Sequence, residues 1–271
     1  MNKAIIAAMR ELLGIVSKTG ELLSDGFNRT DLIIHEKAPR DYVTELDLAV
    51  ERQLVEALRS QFPEWGILAE ESGASAGDTP GSEICWIVDP LDGTANFIHG
   101  IPHVAISVAL ARQRSSGFEL LGGVVFNPIL EQMYSAVRGE GAFLNGVRLR
   151  LRPAPPLAES FLATGFPIRW HEVLAQYLPC FSRIALDCGG MRRLGSAALD
   201  LCYTAAGNFH GFWEPHLAPW DVAAGGIILQ EAGGSVVDFS GGDRFVETGN
   251  IIAGDPVLVK ALLDIIRQYF S

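Results

Sequence analysis

Three apolar segments in the first half of the chain constrain the fold most, because only short turns separate them. They span residues 103–111, 120–126 and 131–137. Consecutive extended segments joined by short turns pair antiparallel. The sequence therefore predicts an antiparallel meander. The residues in the two gaps are turn formers: Ser115, Ser116, Gly117, Asn127 and Pro128.

Helical and strand patterns precede this meander. Apolar residues recur at helical spacing over 3–24 and about 44–62, and the segment between them, 33–42, has the proline and charge content of a loop. Short apolar runs at 66–69 and 84–88 predict buried strands. The first half is thus predicted to be helices packed on a sheet.

A proline-rich segment, 152–156, predicts a boundary between residues 1–152 and 153–271, since proline interrupts both helices and sheets. Helix and strand patterns alternate after it, which predicts a second layered α/β half. No long linker separates the halves, so we expect one compact unit with a shared cleft. The predicted helices are 171–181, 196–207, 221–232 and 256–269, and the predicted strands are 161–164, 209–213, 235–239 and 250–254.

The charge of the chain narrows the classes of function. The 21 Lys and Arg residues against 32 Asp and Glu give a net charge of −11, which argues against nucleic-acid binding. Charged residues interrupt the apolar N-terminal segment, so we expect no membrane span, no signal peptide and a cytoplasmic location. An acidic protein that handles phosphate needs another source of positive charge, and divalent metal is the obvious candidate.

The strongest site signal is the segment Asp-Pro-Leu-Asp-Gly-Thr at 89–94, directly after the predicted strand 84–88. Pro90 is expected to end the strand and turn the chain. Asp89 and Asp92 would then remain close together at the strand end. Two neighbouring carboxylates suit a hard divalent cation.

The rest of this segment suits a cation and a phosphate together. The Leu91 carbonyl becomes free to face a cation, and Gly93 and Thr94 open a helix whose amides can face an anion. Taken alone, the segment is explained equally well as a tight turn rich in Asp and Gly.

Two further acids follow the predicted strand 66–69. Glu70 and Glu71 would ordinarily form a solvated loop, because paired charges usually face water. The ends of two buried strands can converge, however, and bring these acids to segment 89–94.

Thr44 and Asp47 match a capping box at the start of a helix. Capping alone explains the pair. A functional role requires Asp47 to accept a hydrogen bond from a hydroxyl that orients an attacking water.

Two candidate contributors lie in the second half. Asp221 follows Pro219-Trp220 and resembles a helix N-cap. Gly195, Ser196 and Ala197 begin a helix rich in small residues, whose amides could face an anion or allow close packing. Each signal is weak alone.

Taken in order, five motifs resemble the inositol monophosphatase family, within the wider lithium-sensitive, magnesium-dependent phosphatase superfamily. The similarity extends from about residue 3 to about residue 268 and is strongest to the bacterial members. The motifs are DYVTELD (41–47), AEES (69–72), WIVDPLDGTANF (86–97), RRLGSAALDL (192–201) and PWDVAAG (219–225).

This resemblance implies an α/β (α+β) fold, a layered αβαβα sandwich with the site between its halves, in a homodimer. It implies a phosphoric monoester hydrolase acting on myo-inositol 1-phosphate or a related polyol phosphate through activated water, without a covalent intermediate. It also implies two to three Mg²⁺ ions per site, Mn²⁺ as a substitute, and Li⁺ and Ca²⁺ as inhibitors.

The matched motifs also imply roles for individual residues. Thr94 and Asp47 are implied to orient the water, and Glu70 to act in catalysis as well as in metal binding. The implied metal ligands are Glu70, Asp89, the Leu91 carbonyl, Asp92 and Asp221. The implied substrate contacts are Gly93, Thr94, Gly195, Ser196, Ala197, Glu214 and Asp221.

The chain departs from the family pattern at three places. Ala218 stands where animal relatives have histidine, and His210 stands where bacterial relatives often have aspartate. A lysine common in the loop before the first acidic motif aligns with either Glu36 or Lys37. None of these changes touches an implied metal ligand, so they affect substrate choice rather than activity class.

Other functions are alternatives to this one. The same chemistry could act on 3′-phosphoadenosine 5′-phosphate, fructose 1,6-bisphosphate, histidinol phosphate or NADP. A phosphatase that uses Asp89 as nucleophile in a haloacid-dehalogenase motif is disfavoured, because one extra residue separates the acids. A calcium-binding loop lacks the required spacing of acids. A regulatory, partner-binding protein remains the non-enzymatic alternative.

Overall fold

The computed structural model of the chain describes residues 2–79, 81–167 and 170–270. Its helices are α1 (Asn2–Gly26), α2 (Glu45–Gln61), α3 (Thr94–Ile98), α4 (His171–Asp187), α5 (Ala197–Ala206), α6 (Pro219–Glu231), α7 (Phe245–Thr248) and α8 (Pro256–Ile266), with a 3₁₀ turn at Leu157–Glu159. Its strands are β1 (Ile34–Ala38), β2 (Asp41–Thr44), β3 (Gly66–Ala69), β4 (Gly73–Ser75), β5 (Ile84–Asp92), β6 (Ala105–Arg114), β7 (Gly117–Asn127), β8 (Gln132–Val137), β9 (Gly141–Leu144), β10 (Val147–Arg148), β11 (Phe161–Thr164), β12 (Gly190–Arg192), β13 (Gly211–Glu214), β14 (Ser235–Val237) and β15 (Ile251–Gly254).

Two large sheets organise these elements. The first has the order β10-β9-β8-β7-β6-β5-β3-β4, and only β3 and β5 pair in parallel. The second has the order β12-β11-β13-β15-β14, with β11 parallel to both of its neighbours. The predicted meander is confirmed as β6, β7 and β8.

The helices complete five layers, which confirms the predicted αβαβα sandwich. Helices α1 and α2 cover one face of the eight-stranded sheet, α5 and α6 lie between the two sheets, and α4 and α8 cover the far face of the five-stranded sheet. The whole run 222–229 of α6 is buried, because a middle-layer helix has apolar surface on both sides.

The prediction of a loop at 33–42 is wrong. Residues in this segment form the hairpin of β1 and β2, with Arg40 in a left-handed conformation (φ 66°) at its turn. Every residue of β1 is exposed. The exposed strand β1 lacks the alternation of apolar and polar residues that marks a half-buried strand, so hydrophobic periodicity could not reveal it.

The prediction that Pro90 ends its strand is also wrong. β5 continues to Asp92, and the pairing with β6 shifts between Asp89, opposite Ser107, and Asp92, opposite Ala105. Proline lacks an amide hydrogen, and an irregularity in the ladder is where a sheet tolerates it. The two acids therefore lie on either side of a bulge rather than beyond the strand end.

Other differences concern short or interrupted elements. Strands β4, β9, β10 and β12 were not predicted, because two to four residues carry too little pattern. Helix α4 runs beyond 181 to Asp187 and accommodates Pro179 on its exposed side.

The segment 152–156 connects the two sheets, and the division of the chain there stays a prediction. Among the described residues, no helix has the length and apolar character needed to cross a bilayer.

Candidate metal centre and active site

Three aspartates converge between the two sheets. Asp89 and Asp92 flank the bulge of β5, and Asp221 lies in the first turn of α6, which packs on β5 and β6. One carboxylate oxygen of each lies within 4.8 Å of those of the other two. Oxygen donors at this spacing fit a hard divalent cation such as Mg²⁺.

Asp221 reaches this cluster from a different position than predicted. The N-cap of α6 is Ala218, and Asp221 is the third residue of the helix, where its Oδ2 accepts a hydrogen bond from the Ala218 amide at 2.7 Å. The Ser107 hydroxyl donates to the Trp220 carbonyl at 3.1 Å. The second bond ties the start of α6 to β6.

Asp92 is held by the start of α5. Its Oδ2 accepts hydrogen bonds from the Ser196 hydroxyl at 2.7 Å and from the Ala198 amide at 2.8 Å. The helix predicted to begin at 195–197 is confirmed, with Ser196 as the N-cap of α5, and Gly195 precedes it with φ 92°. The Ala198 amide of this helix start therefore binds Asp92.

The cluster is electrostatically unfavourable without a cation. Burial and then the charges of neighbouring carboxylates, first Glu70, hold the pKa of Asp89 well above its usual range. Burial raises the pKa of Asp92 to about 7, against the hydrogen bonds from Ser196 and Ala198. Both shifts reflect concentrated negative charge with little solvent, which a divalent cation relieves.

Thr44 and Asp47 form the predicted capping box, and Asp47 also reaches the site. Its Oδ2 accepts bonds from the amide and hydroxyl of Thr44 at 2.8 and 2.5 Å. Its Oδ1 accepts a bond from the Thr94 hydroxyl at 2.9 Å. Burial raises the pKa of Asp47, and these bonds oppose that shift.

Gly93 sets the geometry between Asp92 and α3. It caps α3 with φ 95°, and a Cβ there would lie 2.9 Å from the His103 carbonyl oxygen, so only glycine fits without strain. The predicted helix start at 93–94 is thus present. The Leu91 carbonyl lies 3.1 Å from the Thr94 hydroxyl.

Glu70 approaches from the end of β3 and is paired with Lys37. The Lys37 ammonium lies 2.9 Å from Glu70 Oε1 and 2.7 Å from Glu71 Oε1. Burial lowers the pKa of Lys37, but the two glutamates outweigh it and raise that pKa. Glu36 instead accepts from the Arg40 amide. Lys37 is therefore the lysine that faces the acidic motif.

Glu51, which no sequence motif singled out, holds the segment carrying Glu70 and Glu71. The Glu51 carboxylate accepts bonds from the amides of Glu71 and Ser72 at 2.8 and 2.7 Å, and its residue is only 4% exposed. An acid four residues after Asp47 on the same helix face was the available signal.

Glu214 lies at the end of β13 on the second half of the chain. Burial and then the charges of Asp200 and Asp221 hold the pKa of Glu214 well above its usual range. Its carboxylate packs directly over Gly165, where any side chain would overlap it. Glu214 therefore shares an acidic neighbourhood with Asp221.

A buried pair, His103 and Asp200, was also missed. His103 Nε2 lies 3.4 Å from Asp200 Oδ1, and the two residues are 8% and 1% exposed. Asn96 lies beside them and donates to the carbonyls of His103 and Leu194 at 2.8 and 2.9 Å. A single acid in the apolar stretch of α5 was the signal for Asp200.

His210 has a structural explanation. Its Nδ1 accepts a hydrogen bond from the Phe161 amide at 2.8 Å, which ties the start of β11 to the chain entering β13. Ala218 contributes its amide to Asp221 and offers no side chain to a substrate.

The layers and the acidic centre between the sheets define a class, the αβαβα sandwich proteins with clustered carboxylates. A sequence profile described as the Inositol monophosphatase family matches residues 7–270. The chain belongs to the inositol monophosphatase family.

Individual relatives carry two kinds of name. Nus factor SuhB of Pseudomonas aeruginosa is 44% identical over 253 residues, covering 92% of each chain. Inositol-1-monophosphatase of Rhizobium meliloti is 43% identical over 263 residues, covering 97% of each.

Solved structures give the same family. The extragenic suppressor protein SuhB of Bartonella henselae superposes with a TM-score of 0.89 at 38% identity, over 96% of this chain and 98% of that one. The Thermotoga maritima IMPase gives 0.86 at 33% identity, over 97% and 98%.

Proposed function

We propose that this protein is a magnesium-dependent phosphatase that hydrolyses a small phosphate monoester, myo-inositol 1-phosphate or a related polyol phosphate. The observation that carries the proposal is the convergence of Asp89, Asp92 and Asp221 within 4.8 Å beside the Thr94–Asp47 hydrogen bond. The family of the chain supports phosphatase chemistry.

In this proposal the cations are held by Asp89, Asp92, Asp221, Glu70 and the Leu91 carbonyl. Bound Mg²⁺ supplies Lewis-acid stabilisation of the phosphoryl oxygens and a lowered pKa for water. Two to three ions are proposed per site, with Mn²⁺ as a substitute and Li⁺ and Ca²⁺ as inhibitors.

Thr94 and Asp47 are proposed to position the attacking water. The Thr94 hydroxyl donates a hydrogen bond to Asp47. Its oxygen therefore keeps lone pairs with which to accept a hydrogen bond from water. The amides of Gly93 and Thr94 lie at the start of α3, where backbone N–H groups lack helical partners and can bind phosphate oxygens.

The alcohol part of the substrate is proposed to lie toward Glu214 and the turn 195–197. Glu214 is a buried acceptor that can bind sugar hydroxyls. Other esters remain candidates for the same chemistry: 3′-phosphoadenosine 5′-phosphate, fructose 1,6-bisphosphate, histidinol phosphate and NADP. A cytoplasmic homodimer completes the proposal.

The test is phosphate release from inositol 1-phosphate, glycerol 2-phosphate and the four alternative esters, with Mg²⁺ and with EDTA. Asp89→Asn is expected to lower kcat at least about 100-fold, because it removes a charged ligand at the reaction centre. Asp243→Asn, at an exposed aspartate in the loop between β14 and α7, is the matched control. Release that persists in EDTA or in Asp89→Asn would contradict the proposal.

The relatives named Nus factor SuhB favour a second candidate, a regulatory partner-binding role. That role would not require turnover. An Asp89→Asn protein that folds, lacks phosphatase activity and keeps full biological activity in a deletion strain would support it, and parallel loss of both would oppose it.

A further inference from the structure

An exposed aromatic pair, Trp170 and His216, lies on the second half of the chain and has no part in the proposed chemistry. The two ring centroids are 5.4 Å apart, and the ring planes are inclined by 34°. Trp170 is 45% exposed, and His216 is also exposed. Aromatic side chains bury most of their surface in folded proteins, so a contacting pair that stays accessible offers ring surface to a ligand.

Both residues lie beside the alcohol side of the site. Trp170 lies between β11 and α4, and His216 lies between β13 and α6. Strands β11 and β13 pair in parallel, so their carboxyl ends reach the same edge of the sheet. Glu214 ends β13, and Gly165, the first residue after β11, lies directly against the Glu214 carboxylate. The aromatic pair therefore joins the two loops next to the residue proposed to bind substrate hydroxyls.

The loop that carries His216 is held by the turn at 249–250. The His216 amide donates to Asn250 Oδ1 at 3.1 Å, and the Leu217 amide donates to the Gly249 carbonyl at 2.8 Å. His216 has a left-handed backbone, with φ 60°, which residues other than glycine uncommonly adopt. Such conformations persist only where the surrounding structure imposes them, and they are concentrated at ligand-binding sites.

The loop that carries Trp170 is held by α4. The Trp170 amide donates to the Pro167 carbonyl at 3.0 Å, and the Val173 amide donates to the Trp170 carbonyl at 3.0 Å. Farther along α4, the Tyr177 hydroxyl donates to the Gly165 carbonyl at 2.7 Å. The start of α4 is thereby tied to the end of β11, and the contact with His216 sets the place of the Trp170 ring.

The aromatic pair differs in chemistry from the surface next to it. Around Glu214 the site is acidic, and the charges of Asp200 and Asp221 contribute to this. The pair instead offers flat ring faces. His216 is two residues from Glu214, so a ring substituent on a polyol bound at Glu214 lies within reach of the pair. Stacking accepts different flat rings, because it depends on the ring face rather than on particular hydrogen bonds.

We propose that Trp170 and His216 are specificity-determining residues that stack with a planar ring on the alcohol part of the substrate. The favoured esters are then those of ring-bearing polyols such as ribonucleosides, in which the ribose hydroxyls suit Glu214 and the base suits the aromatic pair. This inference rests on the proposed phosphatase function. It adds a preference among substrates and leaves the reaction unchanged.

The competing explanation is that the pair only packs the two loops together. That role would affect stability and would change every substrate alike. A stacking site would instead discriminate between substrates that differ only in the flat ring, and the difference would fall mainly on KM.

The experiment compares Trp170→Leu and His216→Asn with His171→Asn in the full-length, Mg²⁺-loaded protein. Leucine keeps apolar volume without a flat ring, and asparagine tolerates the left-handed backbone at position 216. His171 is the matched control, because it is exposed and directly follows Trp170 at the start of α4.

Two substrate pairs are assayed. Adenosine 2′-monophosphate, a secondary ester like inositol 1-phosphate, is compared with methyl ribofuranoside 2-phosphate, which has a methoxy group in place of the base. Benzyl phosphate is compared with cyclohexylmethyl phosphate, whose ring is of similar size but is not flat. The first pair tests the base, and the second separates stacking from the burial of apolar surface.

We expect the unmodified protein to favour the flat-ring member of each pair. In Trp170→Leu, kcat/KM for that member should fall about 5- to 50-fold through KM, and less than about 3-fold for its partner. His216→Asn should show the same selectivity with a smaller loss, about 3- to 10-fold. His171→Asn should leave all four substrates within about 2-fold.

Three results would overturn the stacking site while leaving the phosphatase proposal intact. They are no preference in the unmodified protein, equal losses for both members of either pair, and the same selectivity in His171→Asn. Melting temperatures show whether each variant folds, and His216→Asn decides the question if Trp170→Leu does not fold. Failure of the unmodified protein to release phosphate from any ester, inositol 1-phosphate included, would instead refute the proposed function.

Discussion

At the residue scale, the site is a set of carboxylates whose positions are fixed by neutral hydrogen-bond donors. Asp92 is bound by Ser196 and Ala198, Asp47 by Thr44 and Thr94. These donors fix the orientation of each acid without neutralising its charge. The remaining negative charge is what makes the site suited to a cation, and it also makes the metal-free protein sensitive to pH.

This sensitivity has a definite sign. The pKa of Asp92 is about 7 in the folded chain against an ordinary value of 3.8, and that of Asp89 is also raised. At a pH between the unfolded and folded pKa values of Asp92, the folded state binds more protons than the unfolded state. The free energy of unfolding therefore falls as pH rises from about 4 to about 7.

We therefore expect the melting temperature in EDTA to decrease between about pH 5.5 and pH 7.5, and Mg²⁺ to restore it at pH 7.5. Calorimetry with and without Mg²⁺ measures this. Asp89→Asn should flatten part of the slope in EDTA. A melting temperature that rises over this interval in EDTA, or a slope that the substitution leaves unchanged, would refute the argument.

At the scale of elements, α2 performs two tasks with acids spaced one turn apart. Its N-terminal Asp47 caps the helix and binds Thr94, while Glu51 binds the backbone that follows β3. The same helix therefore positions both the residue proposed to orient water and the segment that carries Glu70. Its apolar face, including Val50 and Leu54, packs on the first sheet.

Glu51→Gln tests this second task. The uncharged amide can accept only one of the two backbone N–H groups, so we expect the free energy of unfolding to fall by about 1–3 kcal/mol. The Mg²⁺ concentration for half-maximal activity should also rise. Urea denaturation and Mg²⁺ titration measure the two effects. Glu56→Gln, on the exposed face of the same helix, should change neither, and equal effects of the two substitutions would exclude a specific role for Glu51.

At the scale of the whole molecule, one buried amide joins the two halves beside the site. Asn96, on α3, donates to the His103 carbonyl before β6 and to the Leu194 carbonyl before α5. These two segments are about ninety residues apart in the chain, and each leads into an element of a different layer. The bond to Leu194 thus fixes the turn at Gly195 relative to the acids of β5.

Asn96→Ala should lower the free energy of unfolding by about 1–3 kcal/mol, because two carbonyls lose their donor. We also expect kcat to fall, because the Ser196 hydroxyl would no longer be held in position to bind Asp92. Asn208→Ala, at an exposed asparagine just after α5, is the control. Unchanged stability in urea and unchanged kcat for Asn96→Ala would show that the halves are positioned by apolar packing alone.

The sequence by itself was sufficient to predict the elements with strong periodicity and the acidic segments near the ends of strands. The meander, the long helices and the segment 89–94 each carry their signal within a few consecutive residues, so local propensity and motif reveal them. The family resemblance then supplied the five layers, which no local pattern contains. The hairpin of β1 and β2 was not predicted, because β1 is exposed throughout and therefore carries no alternation of buried and exposed residues.

Only the tertiary structure decided which side chains meet. The contacts of Lys37 with Glu70, of Ser196 with Asp92 and of His103 with Asp200 join residues 33 to 104 positions apart. It also decided that β5 continues past Pro90 and that Asp221 lies inside α6 rather than at its cap. The physical reason is that hydrogen bonds and charge interactions act over a few ångströms of space, whereas the sequence records only separation along the chain.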